Sequence, residues 1–98
     1  MHPTLMNRRE LDDIRLWLSQ EIERLQLRVQ VSDIDAAGER SLIRRRRAQA
    51  ALCRLEMGTY GAYCKCGLSI EVERLRLDPA APFCADCQAE IDDRRRAA

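Results

Sequence analysis

Two pairs of cysteines limit what this chain can fold into. Four of its five cysteines stand as Cys64-Lys65-Cys66 and Cys84-Ala85-Asp86-Cys87, inside the stretch from Tyr60 to Glu90. Two close pairs at the ends of two turns present four thiolates to one ion, the tetrahedral set that zinc takes in structural sites. The spacing of Cys84 and Cys87 closes a knuckle readily, whereas the single residue between Cys64 and Cys66 closes one less easily. Gly67 follows the first pair directly, where a tight turn brings backbone amides toward the sulfurs.

Redox state follows from the rest of the chain. The first ten residues, Met1 to Glu10, lack the hydrophobic core of a signal peptide, and no apolar run approaches the length of a membrane span. The expectation is a cytoplasmic protein, not membrane-bound, whose clustered cysteines stay reduced and bind metal instead of pairing as disulfides. A length of 98 residues allows one modest core. Four aromatics (Trp17, Tyr60, Tyr63 and Phe83) and 34% charged residues point to long solvated helices. The formal net charge of +1 excludes a chain that binds polyanions with its whole surface.

The clearest periodicity lies before the cysteines. Leu11, Ile14, Leu18, Ile22, Leu25 and Val29 recur at spacings of three and four, which is one apolar face of a helix. Asn7 is a good N-cap, Glu10 completes a capping-box pattern, and Met6 with Leu11 forms a staple. Trp17, off the stripe, reads as a flanking packing residue. After Val31 the run Ser32-Asp33-Ile34-Asp35 favours a turn and a new N-terminus. A second helix is predicted from about Asp35 to Met57, with a narrow seam of Ala37, Ser41, Ala48, Leu52 and Leu55, and Gly58 as its C-terminal cap. Two antiparallel helices of this size make a hairpin roughly 35 Å long at ~1.5 Å per residue.

Arg44, Arg45, Arg46 and Arg47 cover every side of the second helix, so at least one turns toward the seam and must extend its charge back to water. They read either as a solvated face or as a contact surface for an acidic partner or for nucleic acid phosphate. Cys53 reads as a small buried hydrophobe. Past Gly58, Glu71 to Leu77 is predicted as a short helix with Val72 and Leu75 inward, stopped by Asp78-Pro79. A last helix from about Ala85 to Arg96 would bury Ile91 and Ala89, with Arg94, Arg95 and Arg96 complementing its dipole.

Tyr60-Gly61, Cys66-Gly67, Ile70, Arg74-Leu75, Pro79, Cys84, Cys87-Gln88 and Glu90 together resemble the DksA/TraR family of C4-type zinc-finger proteins. The resemblance covers about the last 40 residues. Its first cysteine position falls on Tyr63, so that Cys64 sits one place late. Either Cys64 serves as a shifted ligand, or the finger folds on three thiolates or without metal; the expectation taken here is one zinc held by Cys64, Cys66, Cys84 and Cys87.

The resemblance also implies a coiled-coil arm with an acidic D-x-x-D-x-A tip that enters the secondary channel of bacterial RNA polymerase. Ser32 to Ala37 is the best match, with Asp35 and Ala37 on the second Asp and the Ala, and Asp33 beside the position of the first.

The fold expected is therefore mainly α: an antiparallel two-helix coiled-coil arm on a small zinc-finger base with a C-terminal helix. Residues 1–58 form the arm, with its tip at about 31–37, and residues 59–98 the finger module. The function implied is transcription regulation by a monomer bound to RNA polymerase, without sequence-specific nucleic acid recognition. Catalysis is not expected, because the only histidine is His2 and a four-thiolate zinc has no open position for water. Two other readings compete: a DNA-binding zinc finger using the arginines of the second helix, and a structural hairpin adaptor or dimer.

Overall fold

The computed structural model describes residues 6–31, 36–62 and 64–97. Four helices follow one another: α1 (Arg8–Val31), α2 (Ala36–Glu56), α3 (Val72–Leu77) and α4 (Ala85–Ala97). Among the described residues there is no strand.

α1 starts where its cap predicts. The Glu10 amide donates to Asn7 Oδ1 at 2.9 Å, and Met6 is buried in the core with Leu11 packed against it. The Asn7 backbone bonds the Glu10 carboxylate in turn, the other half of the capping box. The Glu10 carboxylate also receives Arg76 of α3, Nε to Oε2 at 3.0 Å, and so ties the start of the arm to the finger.

From Leu11 to Leu25 the predicted stripe faces α2; the side chain of Val29 lies outside those described. Leu18 and Leu25 are fully buried, with Leu11, Ile14 and Ile22 half-buried beside them. Removing each fully buried leucine from water stabilises the fold by about 1.5–3 kcal/mol. Across the seam stand Ser41, Ala48, Ala51 and Leu55, whose mostly small side chains let α2 approach closely. Ala51 takes the central place expected for Leu52, which is only half-buried. Cys53 is exposed, contrary to expectation. At 100° per residue it points away from a face set by Ala48, Ala51 and Leu55.

α2 ends in a Schellman motif. The Thr59 amide donates to the Arg54 carbonyl at 2.8 Å and the Gly58 amide to that of Leu55 at 3.2 Å, with Gly58 at φ 78°. The chain then turns under the hairpin. Tyr60 is buried, and its hydroxyl donates to the Pro79 carbonyl at 2.8 Å. One continuous cluster of buried residues runs from Met6, Leu18 and Ala48 through Tyr60, Ile70 and Leu75 to Cys64, Cys84 and Cys87. The arm and the cysteine turns therefore share a core.

α3 buries Leu75 and half-buries Val72 as expected, and its last turn closes through the Asp78 amide on the Arg74 carbonyl at 2.8 Å. In α4 the inward residue is Cys87; Ile91 is half-buried and Ala89 is exposed. Ala89 lies two positions past Cys87, which turns it outward.

Candidate metal centre

The first cysteine turn is built by backbone bonds. The Cys64 amide donates to the Leu68 carbonyl at 2.7 Å and the Gly67 amide to that of Cys64 at 2.9 Å. Gly67 has φ 86°, and no atom lies within 4 Å of where a Cβ would stand. Its requirement is conformational, not spatial.

α3 holds the second turn in place. Arg74 Nε donates to the Phe83 carbonyl at 2.9 Å, one residue before Cys84. The Glu71 carboxylate accepts the Ala85 amide at 3.2 Å, at the first residue of α4. A carboxylate there satisfies an orphan donor and meets the positive end of the helix dipole.

These turns bring the four sulfurs of Cys64, Cys66, Cys84 and Cys87 within 4.8 Å of one another. Cys66 Sγ and Cys84 Sγ are 3.8 Å apart. Zn–S bonds of about 2.3 Å in a tetrahedron require sulfurs about 3.8 Å apart, so the cluster matches the size of a closed four-thiolate zinc site. The Cys84 amide donates to Cys64 Sγ at 3.2 Å and the Cys87 amide to Cys84 Sγ at 3.5 Å, placing positive dipoles on the sulfurs that would carry charge. Three of the four cysteines are buried and Cys66 is exposed.

The thiols differ in acidity. Burial works against ionising Cys64, but the amides of Cys84 and Cys66 and the thiols of Cys87 and Cys84 outweigh it and bring its pKa down to about 6. Burial, then the neighbouring sulfurs, pushes Cys87 up to about 12. Cys84 is also raised: the Cys87 amide opposes the shift, while burial and the thiols of Cys64 and Cys66 favour it. Of these three thiols Cys64, the displaced cysteine, is therefore the one that ionises most readily.

Residues 58–97 match the family model of the prokaryotic dksA/traR C4-type zinc finger. By this match residues 58–97 are a zinc-finger module of the dksA/traR C4 type. Zinc is the metal of that module, and the four close cysteines fit it. A solved structure, that of transcription factor DksA2 from Pseudomonas aeruginosa, is similar with a TM-score of 0.69 and 24% sequence identity. The likeness covers 94% of this chain and 90% of that one, and at this identity it is a likeness of fold. Among curated proteins none matches the sequence.

Of the other residues singled out in the sequence, Asp33 and Asp35 lie outside the described residues, as do Tyr63 and His2. Ala37 is described as backbone only, within the first turn of α2. The arginine run divides as a helix requires. Arg44 and Arg46 are exposed, while Arg45 and Arg47 are half-buried. Arg45 is the one turned to the seam: its Nε is buried without a partner and its Nη2 lies 3.4 Å from Gln26 Oε1 of α1. Arg44 and Arg47 line a cleft of about 350 Å³ with Trp17, Glu21 and Asp78; Trp17, expected as a flanking packing residue, is 41% exposed there. Glu71 was missed in the sequence. It is a helix cap supplied from 14 residues away, and no local capping pattern signals it.

Proposed function

We propose that this protein regulates transcription by binding bacterial RNA polymerase directly, through the secondary channel, and modulating initiation. In this reading residues 1–58 are the arm that enters the channel and residues 59–98 the base that stays outside. Asp33, Asp35 and Ala37 act at the tip, and Arg44, Arg45, Arg46 and Arg47 offer a basic contact along the arm. One zinc ion, held by Cys64, Cys66, Cys84 and Cys87, fixes the base. The protein acts as a monomer in the cytoplasm and reads no DNA sequence.

The observation that carries the reading is a continuous core joining a two-helix arm to a DksA/TraR finger. A second support is the fold shared with a transcription factor over nearly the whole of both chains. Among the described residues no helix is long and apolar enough to cross a membrane. Rigidity has a use here. A tip acts at a distance only if the helices behind it do not bend, and the buried pairing of Leu18 and Leu25 with Ala48 and Ala51 supplies stiffness. Zinc contributes in the same sense, since thiolate–zinc binding in small fingers is worth on the order of 10–16 kcal/mol of folding free energy.

Transcription in vitro by bacterial RNA polymerase, with and without the zinc-loaded protein, tests the proposal. The expected result is a changed yield of initiated transcripts at protein concentrations that saturate the polymerase. An unchanged yield there, or tight salt-dependent binding to bare duplex DNA instead, overturns it.

A further inference from the structure

α2 carries a second pattern, on the side away from the core. Ile43, Ala50 and Met57 recur every seven residues, with Arg46 and Cys53 between them at the three-residue step. All five are exposed, Ile43 at 46% and Met57 at 70%. Met57 follows the last helical residue but stays on the spiral, its amide donating to the Cys53 carbonyl at 3.0 Å. The sulfurs of Cys53 and Met57 touch at 3.8 Å. This is an a/d seam about 21 Å long at ~1.5 Å per residue, on the face that α1 does not cover.

A row of charge runs beside it. Arg40, Arg47 and Arg54 also recur every seven residues and occupy the e positions of the same heptads. Among the described residues none of these three makes an ion pair, and neither do Arg44 and Arg46, whereas the acids of α3 and α4 are largely paired with their own arginines. Glu21 and Asp78 line the cleft beside Arg44 and Arg47, but among the described residues no carboxylate is paired with Arg40, Arg47 or Arg54, so this row is open to acids from outside the chain. We propose that the outward face of α2 is a docking surface for an acidic amphipathic helix of another protein. Its apolar row lies on Ile43, Ala50, Cys53 and Met57, and its glutamates or aspartates meet Arg40, Arg47 and Arg54.

Charge decides against the other occupants. A second copy of α2 packed antiparallel about Ala50 sets Arg46 against Arg54, and packed parallel it sets Arg47 and Arg54 beside Leu42 and Gln49 at the g positions, with no carboxylate to meet them. Nucleic acid would meet the arginines but leave Ile43 and Met57 without an apolar counterpart. An acidic helix satisfies both rows, and e-position charges are what select partners in such pairings. This inference gives a partner chemistry to the basic helix of the functional reading above. Its test contains no polymerase, so the two can fail separately.

The probe is a fluorescent three-heptad peptide with leucine at a and d and glutamate at e and g, whose own charges prevent it from self-pairing. Anisotropy with the full-length zinc-loaded protein should give saturable micromolar binding. R40E/R47E should weaken it by about tenfold or more, and a peptide with lysine in place of glutamate should bind that variant instead. Ala50→Glu, at an exposed position, checks the apolar row independently, with a thermal melt confirming that each variant folds. Alkylation of Cys53, read by mass spectrometry, should slow when the glutamate peptide is bound. No saturable binding, equal binding of the lysine peptide to the wild-type protein, or unaltered alkylation of Cys53 in the complex would overturn the proposal.

Discussion

The backbone amide of Cys84 donates to the sulfur of Cys64 at 3.2 Å, across 20 residues of chain. That bond joins the second turn to the cysteine standing one place late. It also explains the shape of the first pair. A single residue between Cys64 and Cys66 shortens the loop, yet all four sulfurs converge because Cys64 points inward and Cys66 stays at the surface. The family cysteine position, Tyr63, need not contribute a ligand for the set to close.

One zinc per chain is expected in protein purified without chelator. Cys64→Ser removes both a candidate ligand and the acceptor of the Cys84 amide, so its zinc content should fall well below half an equivalent with loss of cooperative melting. Cys53→Ser, at the exposed cysteine outside the cluster, should keep full zinc. Elemental analysis of the two variants side by side decides it. Equal zinc in Cys64→Ser and wild type would mean that the ion rests on three thiolates.

Zinc affinity should rise with pH through the neutral range. In the metal-free cluster Cys64 is brought down to about 6, while Cys84 is raised and Cys87 lies near 12. At neutral pH Cys64 is thus already a thiolate, and Cys84 and Cys87 must each give up a proton when the ion binds. Releasing both makes affinity steepen by up to about a hundredfold per pH unit, from these two groups alone. Calorimetry in buffers of different ionisation enthalpy counts the protons directly.

The pair of Glu10 and Arg76 sets a different pH signature. The hydrogen bond from Arg76, helped by its charge and by the Asn7 end of α1 and opposed by burial, holds the Glu10 carboxyl below its usual value. A depressed carboxylate stabilises the fold above its unfolded pKa, and the contribution is lost as pH falls through the folded value. Glu10→Gln should therefore be less stable than wild type at neutral pH and equal to it in acid below the Glu10 range. Both groups are partly exposed, so the difference is small and shrinks with salt. Urea titrations at two pH values and two salt concentrations test it.

How much of this was legible beforehand depended on the range of the interaction. The α1 stripe was read correctly because Leu18 and Leu25 repeat a pattern that only a helix satisfies. α2 was harder, since alanines on both its faces leave the phase ambiguous. Ala51 was missed and Cys53 placed on the wrong side for that one reason. The cysteine set was legible as chemistry, but the inward turn of Cys64 depends on amides 20 residues away. Glu10 and Glu71 were read as local helix residues. Their partners, Arg76 and the Ala85 amide, come from elements adjacent only once folded.

Glu71→Ala should cost about 1 kcal/mol, in the usual range for losing a helix N-cap. The lost carboxylate frees the Ala85 amide at the start of α4, next to Cys84. The consequence should be visible at the metal as well. Zinc dissociation measured with a chromophoric chelator should speed up, whereas Glu73→Ala, a partner of Arg76 alone, should leave it unchanged. If both variants release zinc at the wild-type rate, α3 does not brace the second turn.

The last prediction separates binding from action. α1 ends at Val31 and α2 begins at Ala36, and Asp35 falls between them in the sequence. In the proposed mechanism its charge acts on the polymerase, while the arginines behind it hold the arm in place. Asp35→Asn should then abolish the effect on transcription and leave polymerase affinity largely intact, at a cost of at most about 1–2 kcal/mol in capping stability. Replacing Arg46, which is exposed, should weaken affinity instead. Replacing Arg45 should weaken it as well but will also disturb the seam, because that side chain reaches Gln26. Affinity and transcript yield must be measured on the same preparations. If Asp35→Asn acts like wild type at saturating protein, the effect on initiation comes from the arm filling the channel, and the acidic tip is dispensable.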